Sequence, residues 1–473
     1  MKWRISSKNT AEIICGFSIP GRQKQWEERI TCGRIVTMNR KVAKNAGWII
    51  GARVLQMFLG LFITGWTSRF LGPGNLGLIS YVGAYVSFAT GIASLGFNNI
   101  IIKELFDHSD KEEAVLGTAI IMRLVSSVLC SLLIIGLLAL LNPDEPLIIV
   151  IAALLSLTLI FQSFESFNFW YQSKLQSKYS SIIQTIAYVI VAAYRLYILS
   201  ASKDVRWFAL GNSLDTIVIA VLLYFTFKLK NKKNLGFEFS LGKEMLSRSY
   251  HFIYSGLMIS IYGEMDRIML KSMLNETMVG YYEVAVSVNT YWSFIIAAVI
   301  DSFYPVIIEA KKNEPRDVYH YRIRELYCLV IWLCTLAAIA IMILAKPIIL
   351  IIHGNQYIPS IMCLRFATWI NLFAYLGVAR NAWMVSENRQ SIYKYIFTIG
   401  AVTNVILNWL LIPRFDIIGA TIATIFTEFV IAVVAPALFK ETRENTVLIL
   451  HSLNPKILLG MIQELRKDKG ESQ

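Results

Sequence analysis

Charge is scarce in this sequence. Lys, Arg, Asp and Glu make up 16% of its 473 residues, against roughly 25% in soluble domains. With 56% of residues apolar and a mean hydropathy of +0.54, that scarcity excludes a water-soluble fold. Cysteine is scarce too: the six cysteines form no CxxC pair and fall mostly inside apolar runs, which excludes a disulfide framework and a thiolate metal site. The five histidines are scattered singly, so no metal centre is expected. A nucleotide-binding loop is missing as well. Gly236 to Glu244, GFEFSLGKE, has one residue too many and lacks the Ser/Thr that such a loop needs, which excludes direct ATP coupling. Residues 1–37 hold no apolar core followed by a small-residue cleavage site and are not a signal peptide.

What the chain does have is a succession of apolar runs, each long enough to cross a ~30 Å hydrocarbon core as a helix. They are continuously apolar rather than alternating, so helices, which satisfy their own backbone hydrogen bonds in lipid, are expected instead of a barrel. Spans are placed near Trp48 to Trp66, Leu78 to Leu95, Ala114 to Leu141, Leu147 to Phe169, Ser180 to Leu199 and Trp207 to Phe227. Six more follow near Phe252 to Met273, Val279 to Ile308, Leu326 to Ile352, Ile361 to Val385, Tyr395 to Ile412 and Ile417 to Leu438. The fold class expected is therefore an all-α integral membrane protein of about twelve transmembrane helices.

The net charge of +13 sits in the loops. One alternate set of loops holds seventeen Lys and Arg, the other six. Cationic loops stay in the cytoplasm, so the charge is a topology determinant rather than a nucleic-acid footprint, and both termini are expected inside. The expected organisation is an N-terminal extension over 1–46, a first lobe over 47–227, a basic linker over 228–251, a second lobe over 252–438 and a tail over 439–473. Met38 opens a basic stretch, MNRKVAKN, that leads into the first span and is a candidate natural start. The tail mixes apolar clusters with Lys456, Arg466 and Lys467, as a helix on an anionic leaflet does; a disordered tail is the alternative.

Two internal matches point to duplication. Leu71 to Gly77, LGPGNLG, matches Leu274 to Gly280, LNETMVG, in the spacing of its Leu and Gly; Asp204 followed by Val218 to Val221 matches Asp416 followed by Val430 to Val433. The offsets are 203 and 212 residues. Six helices per repeat is an even number, so the two pseudo-symmetric six-helix bundles share one orientation and enclose a central cavity.

The stretches RFLGPGNLGLISY (Arg69 to Tyr81), SLGFNNIIIKEL (Ser94 to Leu105), MDRIML (Met265 to Leu270), VGYYEVA (Val279 to Ala285) and TNVILNWLLIPRFDIIGATIAT (Thr403 to Thr424) resemble the Wzx-type polysaccharide flippases of the multidrug/oligosaccharidyl-lipid/polysaccharide exporter superfamily. The resemblance covers roughly residues 40–440. It implies a MATE-like fold in a bacterial inner membrane. It also implies a substrate: an undecaprenyl-pyrophosphate-linked oligosaccharide, such as an O-antigen, capsule or exopolysaccharide repeat unit. A glycan polymerase and a chain-length regulator of the same pathway, together with membrane lipids, are the expected partners. Neither a cofactor nor nucleic acid is expected, and proton or sodium coupling stays open.

An anionic headgroup needs cations inside the membrane, where each charge is costly unless paired or facing a wet cavity. The seventh span is the richest, with Glu264, Asp266, Arg267 and Lys271. Glu264, Arg267 and Lys271 share one helical face. On the flippase reading Arg267 contacts phosphate through its planar fork, and Glu264 or Asp266 orients it or exchanges a cation; the plainer reading is a self-neutralising Glu264–Arg267 pair. Arg53, Arg195, Arg365 and Arg380 are further cavity candidates, each with helix-end anchoring as its alternative. Asp215, Asp301 and Glu428 are candidates for coupling or charge pairing, Glu428 foremost on depth. Tyr254, Tyr262, Tyr291, Trp292, Trp369 and Trp383 can stack on sugars, although belt and packing roles explain most aromatics.

A MATE-type cation or drug antiporter shares this fold class, and a polytopic polyprenyl-glycan polymerase or ligase shares the composition. The short external loops argue against the enzyme, and the interior cations argue against the antiporter.

Overall fold

The computed structural model describes residues 40–107, 111–174, 176–230, 235–455, 457, 458 and 460, with the side chains of 40–59, 99 and 177 outside the described set. Met1–Leu59 and Gly60–Gln473 form two compact units, and the second holds the buried cores and the cavity. The expectations for residues 1–37, Lys456, Arg466, Lys467 and the Arg53 side chain lie outside the described residues.

Among the described residues every regular element is helical. The first half holds α1 (Arg40–Ala93), α2 (Phe97–Asp107), α3 (Glu112–Leu141), α4 (Pro146–Gln162), α5 (Ser166–Ser173), α6 (Ser177–Ser200) and α7 (Val205–Lys230). The second holds α8 (Phe239–Met273), α9 (Glu276–Asn313), α10 (Arg316–Ile352), α11 (Ser360–Ala367), α12 (Ile370–Ser386), α13 (Tyr393–Phe429), α14 (Ala435–Leu438) and α15 (Arg443–His451). Nine helices among the described residues are long and apolar enough to cross a membrane. The twelve expected spans are reached because two of the nine are double and one long helix is too polar to be counted. The helix α1 carries two spans across a break at Gly72 (φ 72°), where Pro73 follows, and α13 carries two across Asp416 (φ 50°) behind Pro413. The polar helix is α8, whose 35 residues include the four charges of the seventh span.

Cores divide by half. One set of buried side chains draws on residues 71–209 and another on 97–245, whereas the remaining two draw on 270–449. The exceptions mark where the halves touch. Leu241 and Met245 of α8 pack into the first half, and Leu76 of α1 packs onto the second. Past Leu438, α15 docks on the second half, burying Leu448 and Ile449 and donating from Asn445 to the Tyr327 hydroxyl at 2.5 Å.

The duplicated segments meet each other. A Cβ at Gly77 would lie 1.7 Å from the Glu276 carbonyl oxygen, and one at Gly280 would lie 2.0 Å from that of Pro73. The two contacts interchange under the 203-residue offset, as a pseudo-twofold axis requires. Only glycine lets two helices approach so closely.

Candidate functional site between the halves

We call the end of the bundle bearing the turns at 72–76, 142–146 and 353–359 the far end, and the end bearing residues 235–238 the linker end. The far end is sealed by α1 against the close of α10. Arg69 donates from Nε to the Ile352 carbonyl at 3.0 Å and from Nη2 to that of Leu350 at 3.2 Å and that of Ile351. These are carbonyls a helix C-terminus leaves unpaired, and a guanidinium there also complements the helix dipole. Gln356 and the Tyr357 hydroxyl donate back to the Arg69 and Ser68 carbonyls at 2.9 Å. Buried His353, one residue beyond the spanning helix, contacts Ser68 Oγ through Nδ1 at 2.7 Å. Burial, and then the Arg69 cation, push its imidazole down to about 4.

Lys271 crosses the same end, bonding Glu145 of the first half at 2.8 Å and Glu276 of its own half at 3.2 Å. At the linker end, the hydrogen bonds, ion pairs and glycine contacts between the halves among the described residues involve residues 236–256. Arg248 pairs with buried Glu104 at 2.5 Å, the Glu238 amide donates to Thr118 at 2.9 Å, and Gly96 lies against Ser249 and Phe252.

Between the ends lies a cavity of about 210 Å³ walled by both halves. Arg195 and Asn212 reach it from α6 and α7, joined at 3.0 Å, and Glu283 and Ser287 reach it from α9. Beside it, Arg267 is held by two carboxylates, with Nε on Glu283 at 2.7 Å and Nη1 on Glu264 at 2.9 Å. Two anions face one cation, and Nη2 has no partner among the described residues. The intrahelical pair foreseen from spacing is present, but Glu283 makes it a triad.

Asp266 points the other way. Only 1% exposed, it accepts from Tyr282 at 2.5 Å, Asn404 at 3.1 Å, Asn408 at 2.6 Å and Thr424, a node that ties α8 to α9 and to both limbs of α13. Full satisfaction by neutral donors is what makes a buried carboxylate tolerable.

The family model of the polysaccharide biosynthesis proteins matches residues 42–311, more than half of the chain. The chain belongs to that family. A relative of this chain in Haloferax volcanii, named a probable flippase, AglR, is 24% identical over 406 residues, covering 82% of this chain and 81% of its own. An inward-facing multidrug resistance MATE family transporter of the MOP superfamily superposes with a TM-score of 0.66 at 14% identity, over 84% of this chain and 96% of its own. The lipid II flippase MurJ, in an inward closed conformation, gives 0.61 at 14% identity, over 87% and 92%. The chain is thus an all-α, multi-pass membrane protein whose fold is similar to that of these two transporters.

The remaining candidates of this polysaccharide biosynthesis family member fall in three places. Asp215 lies within electrostatic range of Arg195 beside the cavity. Arg380 is 1% exposed and donates to the carbonyls of Ile431 at 2.6 Å and Ala432 at 3.2 Å. Those carbonyls belong to a π-helical turn, Val430–Val434, whose irregular ladder needs outside donors; the arginine there is a packing bolt between α12 and that turn. Glu428 is half-buried within electrostatic range of Arg380. Arg365 and Asp301 are exposed, with no ion-pair partner among the described residues. Sequence reasoning missed Glu283, Glu145, His353 and the two asparagines. The signal for Asn404 and Asn408 was their i, i+4 spacing in an apolar helix, and for Glu283 its place inside a span.

Proposed function

We propose that the chain is a flippase that carries undecaprenyl-pyrophosphate-linked oligosaccharide from the leaflet at its linker end to the opposite leaflet by alternating access. The linker end is the cytoplasmic one in this reading, with both termini inside a bacterial inner membrane. The carrying observation is the cavity walled by both halves, with Arg195, Asn212 and Glu283 on its wall, sealed at the far end by Arg69, Lys271 and the Gly77–Gly280 crossing. A polar headgroup can occupy such a cavity while its polyprenyl tail stays in lipid.

We assign the pyrophosphate to Arg195, on the cavity wall, and to Arg267 beside it, whose Nη2 has no partner among the described residues. For a coupling ion, H⁺ or Na⁺, Asp266 is the best-placed carboxylate, because the node it anchors joins four helical segments. The chain acts as a transporter rather than an enzyme, and a polymerase and chain-length regulator are its expected partners.

The test is complementation of a strain lacking its glycan flippase. Arg195→Ala and Arg267→Ala should lower surface glycan and accumulate lipid-linked intermediates on the cytoplasmic side; normal surface glycan with correctly inserted protein defeats the reading. The two carboxylates flanking Arg267 favour a second reading, a cation or drug antiporter. It predicts drug efflux in place of complementation.

A further inference from the structure

Arg267 meets its two carboxylates in different ways. Glu264 lies one turn back on α8, and the Ser87 hydroxyl of α1 holds it from the first half. Its position on Nη1, which also donates to the Gly263 carbonyl at 3.2 Å, is therefore fixed twice over. Glu283 comes from α9, and the 2.7 Å bond from Arg267 Nε is the one hydrogen bond its carboxylate makes among the described residues. It lines the cavity, and its side chain is 25% exposed. Of the two anions, Glu283 is the one free to leave.

The guanidinium says what can replace it. Nε and Nη2 form one edge of the planar fork, and an anion with two oxygens can take both N–H groups in parallel. Glu283 takes Nε alone. Nη2 has no partner among the described residues and is not enclosed, so half of that edge stands open to an incoming oxyanion. An arginine inside the membrane is costly without a counter-charge; an empty cavity therefore needs Glu283 on Arg267, and a filled one does not. The exchange also bears on the seam. Glu276, Gly280 and Glu283 follow at i, i+4 and i+7 on one face of α9, and the first two meet Gly77 and Pro73 of α1.

We propose that Glu283 is an exchange anion: it occupies Arg267 in the empty carrier and yields that arginine to an oxygen of the substrate's pyrophosphate. The assignment rests on the flippase reading and makes Glu283 a positioning residue that sets how tightly the load is held. The freed carboxylate stays at the cavity wall and repels the bound anion, which favours release. After release it neutralises Arg267 again, so the empty carrier returns without a bare cation. A carboxylate in this role accounts for two anions beside a site for an anionic headgroup.

The experiment uses the full chain and one probe, undecaprenyl pyrophosphate bearing a single neutral hexose. Binding is measured in lipid nanodiscs, and transfer between leaflets in proteoliposomes. Glu283→Gln keeps the shape and removes the charge. It should bind the lipid about tenfold more tightly than wild type, as expected for losing a competing charged hydrogen bond. It should transfer the lipid at least about threefold more slowly, because tighter ground-state binding retards release. Arg267→Gln leaves an amide donor between the two carboxylates and should weaken binding; on that background Glu283→Gln should bring no gain. Equal or weaker binding by Glu283→Gln, transfer as fast as wild type, or unchanged affinity in Arg267→Gln overturns the exchange while leaving the flippase reading intact. A gain that persists on the Arg267→Gln background also overturns it, since Glu283 would then act through its field and not through Arg267. Should Arg267→Gln fail to insert, Glu283→Gln decides alone: its affinity must rise and its transfer rate must fall, and a merely structural residue would not raise affinity. Failure of wild type to bind the lipid sinks the flippase reading itself.

Discussion

At the far end the two halves meet through several elements of each, while at the linker end the second half's contacts come from one helix and the segment leading into it. Gly77 against Glu276, Gly280 against Pro73 and Arg69 against three α10 carbonyls involve main-chain atoms of both halves. At the linker end, among the described residues, the second half touches α2 and α3 from α8 and the segment before it alone, Arg248 on Glu104 and the Gly236 amide on the Glu113 carbonyl at 3.1 Å. A seam that engages several elements of each half opens only when all of them part, and the α10 carbonyls that Arg69 serves must then find water. A helix that belongs to one half and rests on the other can ride with either. The contrast assigns the switching surface to the far end and the tether to the linker end.

Gly77→Ala combined with Gly280→Ala should break the seam most completely. Each added methyl overpacks at a cost of about 1–3 kcal/mol, enough together to shift the closed population roughly a hundredfold. Labelling of a cysteine placed at Asn355 with an impermeant thiol reagent should accelerate accordingly, and Gly83→Ala, which meets nothing within 4 Å, is the control. Labelling as slow as wild type would show that the seam is not the barrier.

Acid should open the far end next. With the His353 imidazole down to about 4 when sealed, and its ordinary 6.5 once wet, the stabilisation of the closed state is complete above pH 6.5 and is lost as pH falls from there towards 4. Between pH 7.5 and pH 5 the open-to-closed ratio should rise about 30-fold. The charged groups that face it are Arg69 and, across the cavity, Arg195 and Glu283, and His353→Asn should flatten the profile. A profile that persists in that variant assigns the proton elsewhere.

Lys271→Met removes the ion pair that crosses the seam and leaves Glu145 and Glu276 facing each other. A rise in labelling of about tenfold is expected, as for loss of a charged hydrogen bond worth about 1.5–3 kcal/mol. At the tether, Lys111→Ala should do least. Its partner Glu238 is 3.8 Å away and both side chains are exposed, so the effect should stay within about 0.5 kcal/mol and below twofold in labelling. A tether variant that opens the far end more than Lys271→Met would reverse the comparison.

Much of the scaffold was legible because membrane spans are local. Runs such as Ala114 to Leu141 declare themselves by length and apolarity, and the repeat of LGPGNLG in LNETMVG pointed to two halves of like orientation. Their contact, Gly77 with Glu276 and Gly280 with Pro73, lies where that repeat falls. The charges were legible as residues but not as partners. Arg380 looked like a cavity cation on depth; the π-helical turn that occupies it has no signature in an apolar sequence. Arg267 and Glu264 were paired correctly by spacing, yet Glu283, sixteen residues on, reaches them only because α9 turns back beside α8.

By itself, then, the sequence determined that this chain lives in a membrane as helices, in two related halves with their cations concentrated at one end. Those properties come from composition, run length and period, which act within single helices. Tertiary structure alone decided which end is closed, which arginine faces the cavity and which bolts a turn, and that His353 lies buried at the cavity wall. Those features depend on partners up to 289 residues apart, and helix packing, not local preference, brings them within reach.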